Sequence, residues 1–126
     1  MADALTPLAD SKYLLVRTFR RTGKPVDTPV WHVREGDHLL FWTVSDSGKV
    51  KRIRNNPEVE VAPCTLRGTP TGPFRKATAT LLPAAETATV RRKISKRYGL
   101  MGWLTTTGSK LRRGDKGTVG VSVSLT

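Results

Sequence analysis

A small, mainly β, closed or split barrel of six short strands, with two or three helices inserted, is the fold class this sequence predicts. Three observations carry it. The 126 residues include 37% hydrophobic side chains, enough for one core and not for two, so residues 1–126 read as a single domain. The apolar residues fall in short clusters separated by glycine- and proline-containing turns. Only Ala84–Tyr98 has the length and period of a long helix. Closing or splitting a barrel removes the exposed edges that an open sheet of such strands must manage.

Each element has its own signal. Residues 5–11 read as a short helical lead-in, with Thr6 at the N-cap and Pro7 at the first helical position. Lys12–Arg20 is rich in Tyr, Leu, Val and Phe, and the turn Thr22-Gly23-Lys24 leads into a second strand over Pro25–Arg34. Pro25 and Pro29 cannot donate to a ladder, which puts that strand at an edge or a bulge. Glu35-Gly36-Asp37 turns into a third strand, His38–Val44, apolar on both faces. After Ser45-Asp46-Ser47-Gly48 the period changes: Val50 and Ile53 sit at helical spacing until Asn55-Asn56-Pro57 stops the helix. Glu58–Leu66 alternates as a fourth strand, a turn-rich connector over Gly68–Pro73 leads to a fifth near Phe74–Leu82, and Val119–Leu125 alternates as the last. In the long helix, Val90, Ile94, Tyr98 and Met101 trace the apolar stripe and Gly99 is placed to end it, leaving 105–116 as a polar, basic loop.

Charge is the strongest bulk clue. The chain carries 22 Lys+Arg against 10 Asp+Glu, a formal +12. Such an excess is self-repelling unless something anionic offsets it, which suggests nucleic acid, an acidic membrane surface or a polyanionic small molecule. The cations cluster at Arg17–Lys24, Lys49–Arg54, Arg91–Arg97 and Lys110–Lys116. The apolar clusters are too short to span a bilayer, and the N-terminus has no basic region followed by an apolar one, so a cytoplasmic protein is expected. Cys64 is the only cysteine, which excludes an intrachain disulfide; with only His32 and His38 beside it, a structural zinc site is not expected either.

Side-chain catalysis finds little support. His32 and His38 lie inside strand patterns and read as structural, and Cys64 follows Pro63 in a buried-looking strand as a small core residue. No catalytic acid, base or nucleophile is assigned, so an enzyme of this sequence would rely on a bound cofactor. The place to hold one is Ser47-Gly48-Lys49. A helix N-terminus offers free backbone N–H groups and the positive end of a dipole, Ser47 adds a hydroxyl, Gly48 lets an oxyanion approach, and Lys49 adds a full charge. At 100° per residue, Lys49 and Arg54 flank the Val50/Ile53 face while Arg52 points away, which ranks Arg54 above Arg52 as a ligand. These features alone fit a phosphate site or a solvated amphipathic helix equally well.

Taken in order, Arg20–Val26, Thr28-Pro29-Val30-Trp31, Ser47–Pro57, Ala62-Pro63-Cys64 and Arg67–Pro73 resemble the pyridoxamine-phosphate-oxidase-like family. More narrowly they resemble its actinobacterial flavin/deazaflavin oxidoreductases, over about residues 11–125. The resemblance implies a homodimer of six-stranded Greek-key split barrels, the FMN-binding split barrel, with the cofactor in a groove between subunits. It assigns the cofactor phosphate to Lys49, with Ser47 and Gly48 beside it, and the ring system to Thr28, Pro29, Trp31 and Thr43. Lys51 and Arg54 match basic positions of the deazaflavin branch, and the Arg67–Pro73 loop would reach the partner's site.

Coenzyme F420 carries a phosphodiester and an oligoglutamate tail, which suits the net charge better than FMN does and gives the 91–97 and 110–116 clusters a role. The implied reaction passes a hydride between the deazaflavin and a small organic substrate, with solvent or Tyr98 delivering the proton. The chain is shorter than true pyridoxamine-phosphate oxidases, so their substrate is not expected. Haem ligation would fall on His32 or His38 and is not expected. Alternatives are an FMN oxidase or reductase of the same fold, a coenzyme carrier without turnover, and a nucleic-acid-binding barrel. Against the last, no aromatic and basic alternation marks a stacking platform.

Overall fold

The computed structural model describes the backbone of residues 4–113 and 117–126 and the side chains of 4–98 and 117–126. Its elements are α1 (Leu5–Asp10), β1 (Tyr13–Phe19), β2 (Pro25–Val30), β3 (His32–Glu35), β4 (His38–Val44), α2 (Gly48–Asn55), β5 (Glu58–Cys64), β6 (Arg75–Leu81), α3 (Ala84–Arg113) and β7 (Thr118–Leu125). The strands form one antiparallel sheet in the order β2-β1-β5-β6-β7-β4-β3.

Seven strands stand where six were expected, because Pro25–Arg34 divides at Trp31. Up to Val30 the chain pairs with β1, with Val30 opposite Leu14. From His32 it pairs with β4, with His32 opposite Phe41. The two outermost strands of the sheet are therefore joined by one residue, which curls the sheet into a split barrel. Pro25 and Pro29 lie on the edge strand, where a missing N–H is tolerated.

The barrel interior follows from strand alternation. Leu14 and Val16, Leu39 and Phe41, Val59 and Val61, Ala77 and Ala79, and Val121 and Val123 form one buried cluster, closed off by Leu5 and Leu8 of α1 and Ile53 of α2. Filling the core decided the start of α1. The helix begins at Leu5, within the expected 5–11 span, but Ala4 and not Thr6 holds the cap position, with no side-chain cap. Seating Leu5 and Leu8 one turn apart in the core outweighs a cap worth about 1 kcal/mol. Pro7 still falls in the first turn, where its missing N–H has no intrahelical partner to lose.

Two layers cover the outside of the sheet. The 65–73 connector folds back over β1 and β5, burying Leu15, Ala62 and Cys64 with Tyr13 and Phe74 packed against them. Gly68 turns there with φ +83°, a conformation that favours glycine. α3 covers β4 and β7, with Val90 and Ile94 against Leu40. Gly120 permits its approach: a Cβ there would lie 3.0 Å from Val90, and the Gly120 N–H donates to Thr87 Oγ1 at 2.9 Å.

Gly99 does not end α3, which runs on to Arg113. One glycine costs about 1 kcal/mol against alanine in a helix, and no proline follows it before the helix ends. The expected 105–116 loop is thus helical to Arg113, and residues 114–116 lie outside the described residues. No helix among the described residues is long and apolar enough to cross a membrane.

Candidate functional site

β4 delivers Thr43 to a tight turn, Ser47 N–H donates to Val44 O at 3.1 Å, and α2 starts at Gly48. Ser47 caps the helix by accepting from Val50 N–H at 3.3 Å. No acidic residue lies in the first turn. Lys49 is only 8% exposed, and its Nζ donates to Thr43 Oγ1 at 3.1 Å. Burial, then the charge of Arg52, pushes the Lys49 ammonium below its usual range.

Arg52 departs from the helical-wheel ranking. Its Nε donates to Thr18 Oγ1 at 2.6 Å, and Thr18 is fully buried in β1. The guanidinium lies over the first turn: a Cβ on Gly48 would come within 2.7 Å of it. Long helical side chains lean toward the N-terminus, so a residue four positions on can cover that spot. Burial, then the charge of Arg20, lowers the Arg52 pKa. Lys51 and Arg54 are exposed and are not drawn into this arrangement.

Beside it lies a groove of about 250 Å³. Of the residues expected at a cofactor, Thr28, Pro29, Trp31, Thr43 and Lys49 line it together, while Ser47 and Gly48 form the adjoining helix start. Sequence reasoning missed Val30, Trp42 and Ile94, which complete the wall. Trp42 was open to inference from its place beside Thr43, but Ile94 reaches the groove only through the packing of α3. A larger cleft, about 520 Å³, lies beyond the β1–β2 turn. Its cations Arg20, Arg21 and Lys76 share it with Glu58 and Glu60, so it lacks the one-sided charge of the Lys49 site.

The other cationic clusters are partly committed to the fold. Arg17 binds Asp27 through two nitrogens, lies near Glu60 and stacks on Phe74 at 3.8 Å. Lys93 pairs with Glu35, and Arg97 donates to the carbonyls of His32, Ala9 and Ser11. Arg92 and Lys96 remain exposed. The side chains of Lys110, Arg112, Arg113 and Lys116 lie outside the described residues.

His32 is a core histidine, as its strand pattern predicts: it is fully buried, and its Nε2 donates to Leu8 O at 2.6 Å. Burial holds its pKa at about 4, so it stays neutral at pH 7, and its engaged Nε2 does not suit haem ligation. His38 sits beside Asp37 at the β3–β4 turn. Cys64 is buried, and burial pushes its thiol up. Tyr98 does not line the groove; its hydroxyl donates to Lys12 O at 2.6 Å, which ties up the proton expected for substrate.

No protein-family model matches the chain, and no curated protein matches it. Solved structures do. An F420 reductase is 17% identical, with 100% of this chain and 96% of that one covered at TM-score 0.66. A Listeria innocua protein provisionally named a pyridoxamine 5'-phosphate oxidase is 15% identical, covering 96% and 89% at 0.67. The haem storage protein HutZ from Vibrio cholerae is 11% identical, covering 93% and 83% at 0.69. These likenesses show that the chain has the split-barrel fold of the pyridoxamine 5'-phosphate oxidase class.

Proposed function

We propose that the groove holds coenzyme F420 and that the protein is a deazaflavin-dependent oxidoreductase acting as a homodimer. The observation that carries this reading is the pairing of Lys49 with Arg52 at the α2 start: two half-buried or buried cations on which, among the described residues, other cations act and no carboxylate does. Desolvated cations without a counter-ion are strained in the empty protein and relieved by an anion. The groove that adjoins them is walled by Trp31, Trp42, Pro29 and Val30, surfaces for a planar ring. The F420 reductase among the structural neighbours supports the same choice.

If bound there, the reduced coenzyme would supply hydride chemistry toward an electrophilic substrate carbon. This chain's residues bind and orient. Lys49 and Arg52 would hold the phosphate end, Thr43 and Thr18 hold those two side chains, and Trp31 and Trp42 would offer aromatic surface to the ring. With Tyr98 committed to Lys12 O, the product proton comes from solvent. At about 250 Å³ the groove falls short of the roughly 300–1,000 Å³ usual for a small-molecule site, which supports a wall from a second subunit.

FMN is the second reading. Lys93 and Arg97 being spent on Glu35 and on backbone carbonyls leaves fewer cations for an oligoglutamate tail, which favours a ligand with a single phosphate. Titrating the purified protein with coenzyme F420 and FMN in parallel at two salt concentrations separates them. Tighter, salt-sensitive binding of F420 supports the deazaflavin, preference for FMN supports the second reading, and binding of neither overturns both.

A further inference from the structure

The groove wall is made where the barrel's ladders are interrupted, because Trp31 is the single residue between the two outermost strands. Neither β2 nor β3 extends a ladder through it, so something else must set the angle of its ring. Tyr98 of α3 stacks on Trp31 with ring centroids 4.6 Å apart and planes 9° from parallel. Its hydroxyl accepts from His32 N–H at 3.2 Å and donates to Lys12 O at 2.6 Å. Next to it, Arg97 grips the His32 carbonyl together with the carbonyls of Ala9 and Ser11. Three segments distant in sequence, the end of α1, the strand crossing and α3, are thus tied at residues 31–32.

The geometry points to Tyr98 as a positioning residue for the ring subsite: by stacking on Trp31 and anchoring His32, it fixes the wall against which a planar ligand ring lies. This rests on the reading of the groove as a cofactor site. Tyr98 does not line the groove, so its effect passes through Trp31, whereas the anion subsite at Lys49, Arg52 and Thr18 makes none of the contacts that Tyr98 makes. The two subsites are therefore separable. Stacked aromatic pairs add to mutual burial, and a positioned surface avoids an ordering cost on binding.

The test uses two ligand pairs, FMN with riboflavin and coenzyme F420 with its phosphate-free ribityl deazaflavin, on the wild type, Tyr98→Leu and Tyr98→Phe. The leucine variant is expected to bind the phosphate-free ring at least tenfold more weakly, while the ratio of phosphorylated to phosphate-free affinity stays at the wild-type value. Tyr98→Phe keeps the stack and loses the anchor, and it is expected to lose at least threefold with the same ratio. Should the leucine variant fail to fold, the phenylalanine variant decides. Unchanged ring affinity overturns the proposal, and so does a ratio that falls together with it, since a general loosening of the fold damages both subsites.

A wild type that binds none of the four compounds refutes the functional reading, and the positioning role is then judged on the unliganded protein. In a Trp42→Phe, Trp103→Phe background, Trp31 emission and its access to acrylamide are expected to rise in Tyr98→Leu and hold steady in Tyr98→Phe. No rise in Tyr98→Leu refutes the positioning role.

Discussion

Replacing Lys49 by methionine should make the empty protein more stable and the cofactor complex weaker. Methionine matches the length of the lysine stem without its charge. Lys49 is 8% exposed, has Thr43 as its one hydrogen-bond partner among the described residues and sits near Arg52, and burial depresses its pKa. A lysine whose folded value lies below its unfolded 10.5 opposes folding while protonated. The unfolded chain then binds more protons, so stability rises with pH from the depressed folded value up to 10.5 and is flat below that window. In Lys49→Met this rise should disappear and the neutral-pH melting temperature should increase.

Binding moves the other way. A hydrogen bond to a charged group contributes about 1.5–3 kcal/mol, so losing one weakens phosphate-bearing ligands by roughly 10- to 150-fold. The assay compares FMN with riboflavin and coenzyme F420 with its phosphate-free ring. The wild type should favour the phosphorylated member of each pair, and Lys49→Met should remove most of that preference while ring affinity holds. A variant that melts lower at pH 7, or that keeps the full phosphate preference, refutes this account of Lys49.

Gly48→Ala places a Cβ 2.7 Å from the Arg52 guanidinium, a flexible group that can swing away. A helix gain of up to about 1 kcal/mol should leave stability unchanged or higher, while phosphate-bearing ligands lose several-fold in titration. Phe41 is fully buried at the barrel centre, so Phe41→Ala should cost about 3–5 kcal/mol in denaturant unfolding. His32, at about 4 against the usual 6.5, stays neutral in the fold above that pH. The unfolded chain therefore binds more protons between those values, and stability should fall by about 3 kcal/mol as pH drops from 6.5 to 4. His32→Gln should lose that slope in a pH series of melting curves.

The strands and the start of α2 were legible because their signals are local: alternation in β5 and β7, and Val50 and Ile53 at helical spacing after Gly48. The break at Trp31 was not, since it depends on β1 and β4 claiming opposite ends of one apolar run. The same holds for the cations. Lys93 and Arg97 read as free from sequence, yet their partners Glu35, His32, Ala9 and Ser11 lie 58 to 88 residues away. Lys49 was legible as the charge at a helix start, Thr28, Pro29, Trp31 and Thr43 came through resemblance to a family, and the fold brings all five to one groove. Arg52 was misjudged by treating side chains as radial spokes, when its reach back over Gly48 to Thr18 decides where its charge sits.

The most direct test is a crystal structure of the protein with coenzyme F420 bound. The account predicts a dimer with the coenzyme phosphate within hydrogen-bonding distance of Lys49 Nζ and the Arg52 guanidinium. It also predicts the ring against Trp31 and Pro29. A phosphate seated instead in the Arg20, Arg21 and Lys76 cleft, or a ring away from Trp31, would contradict it.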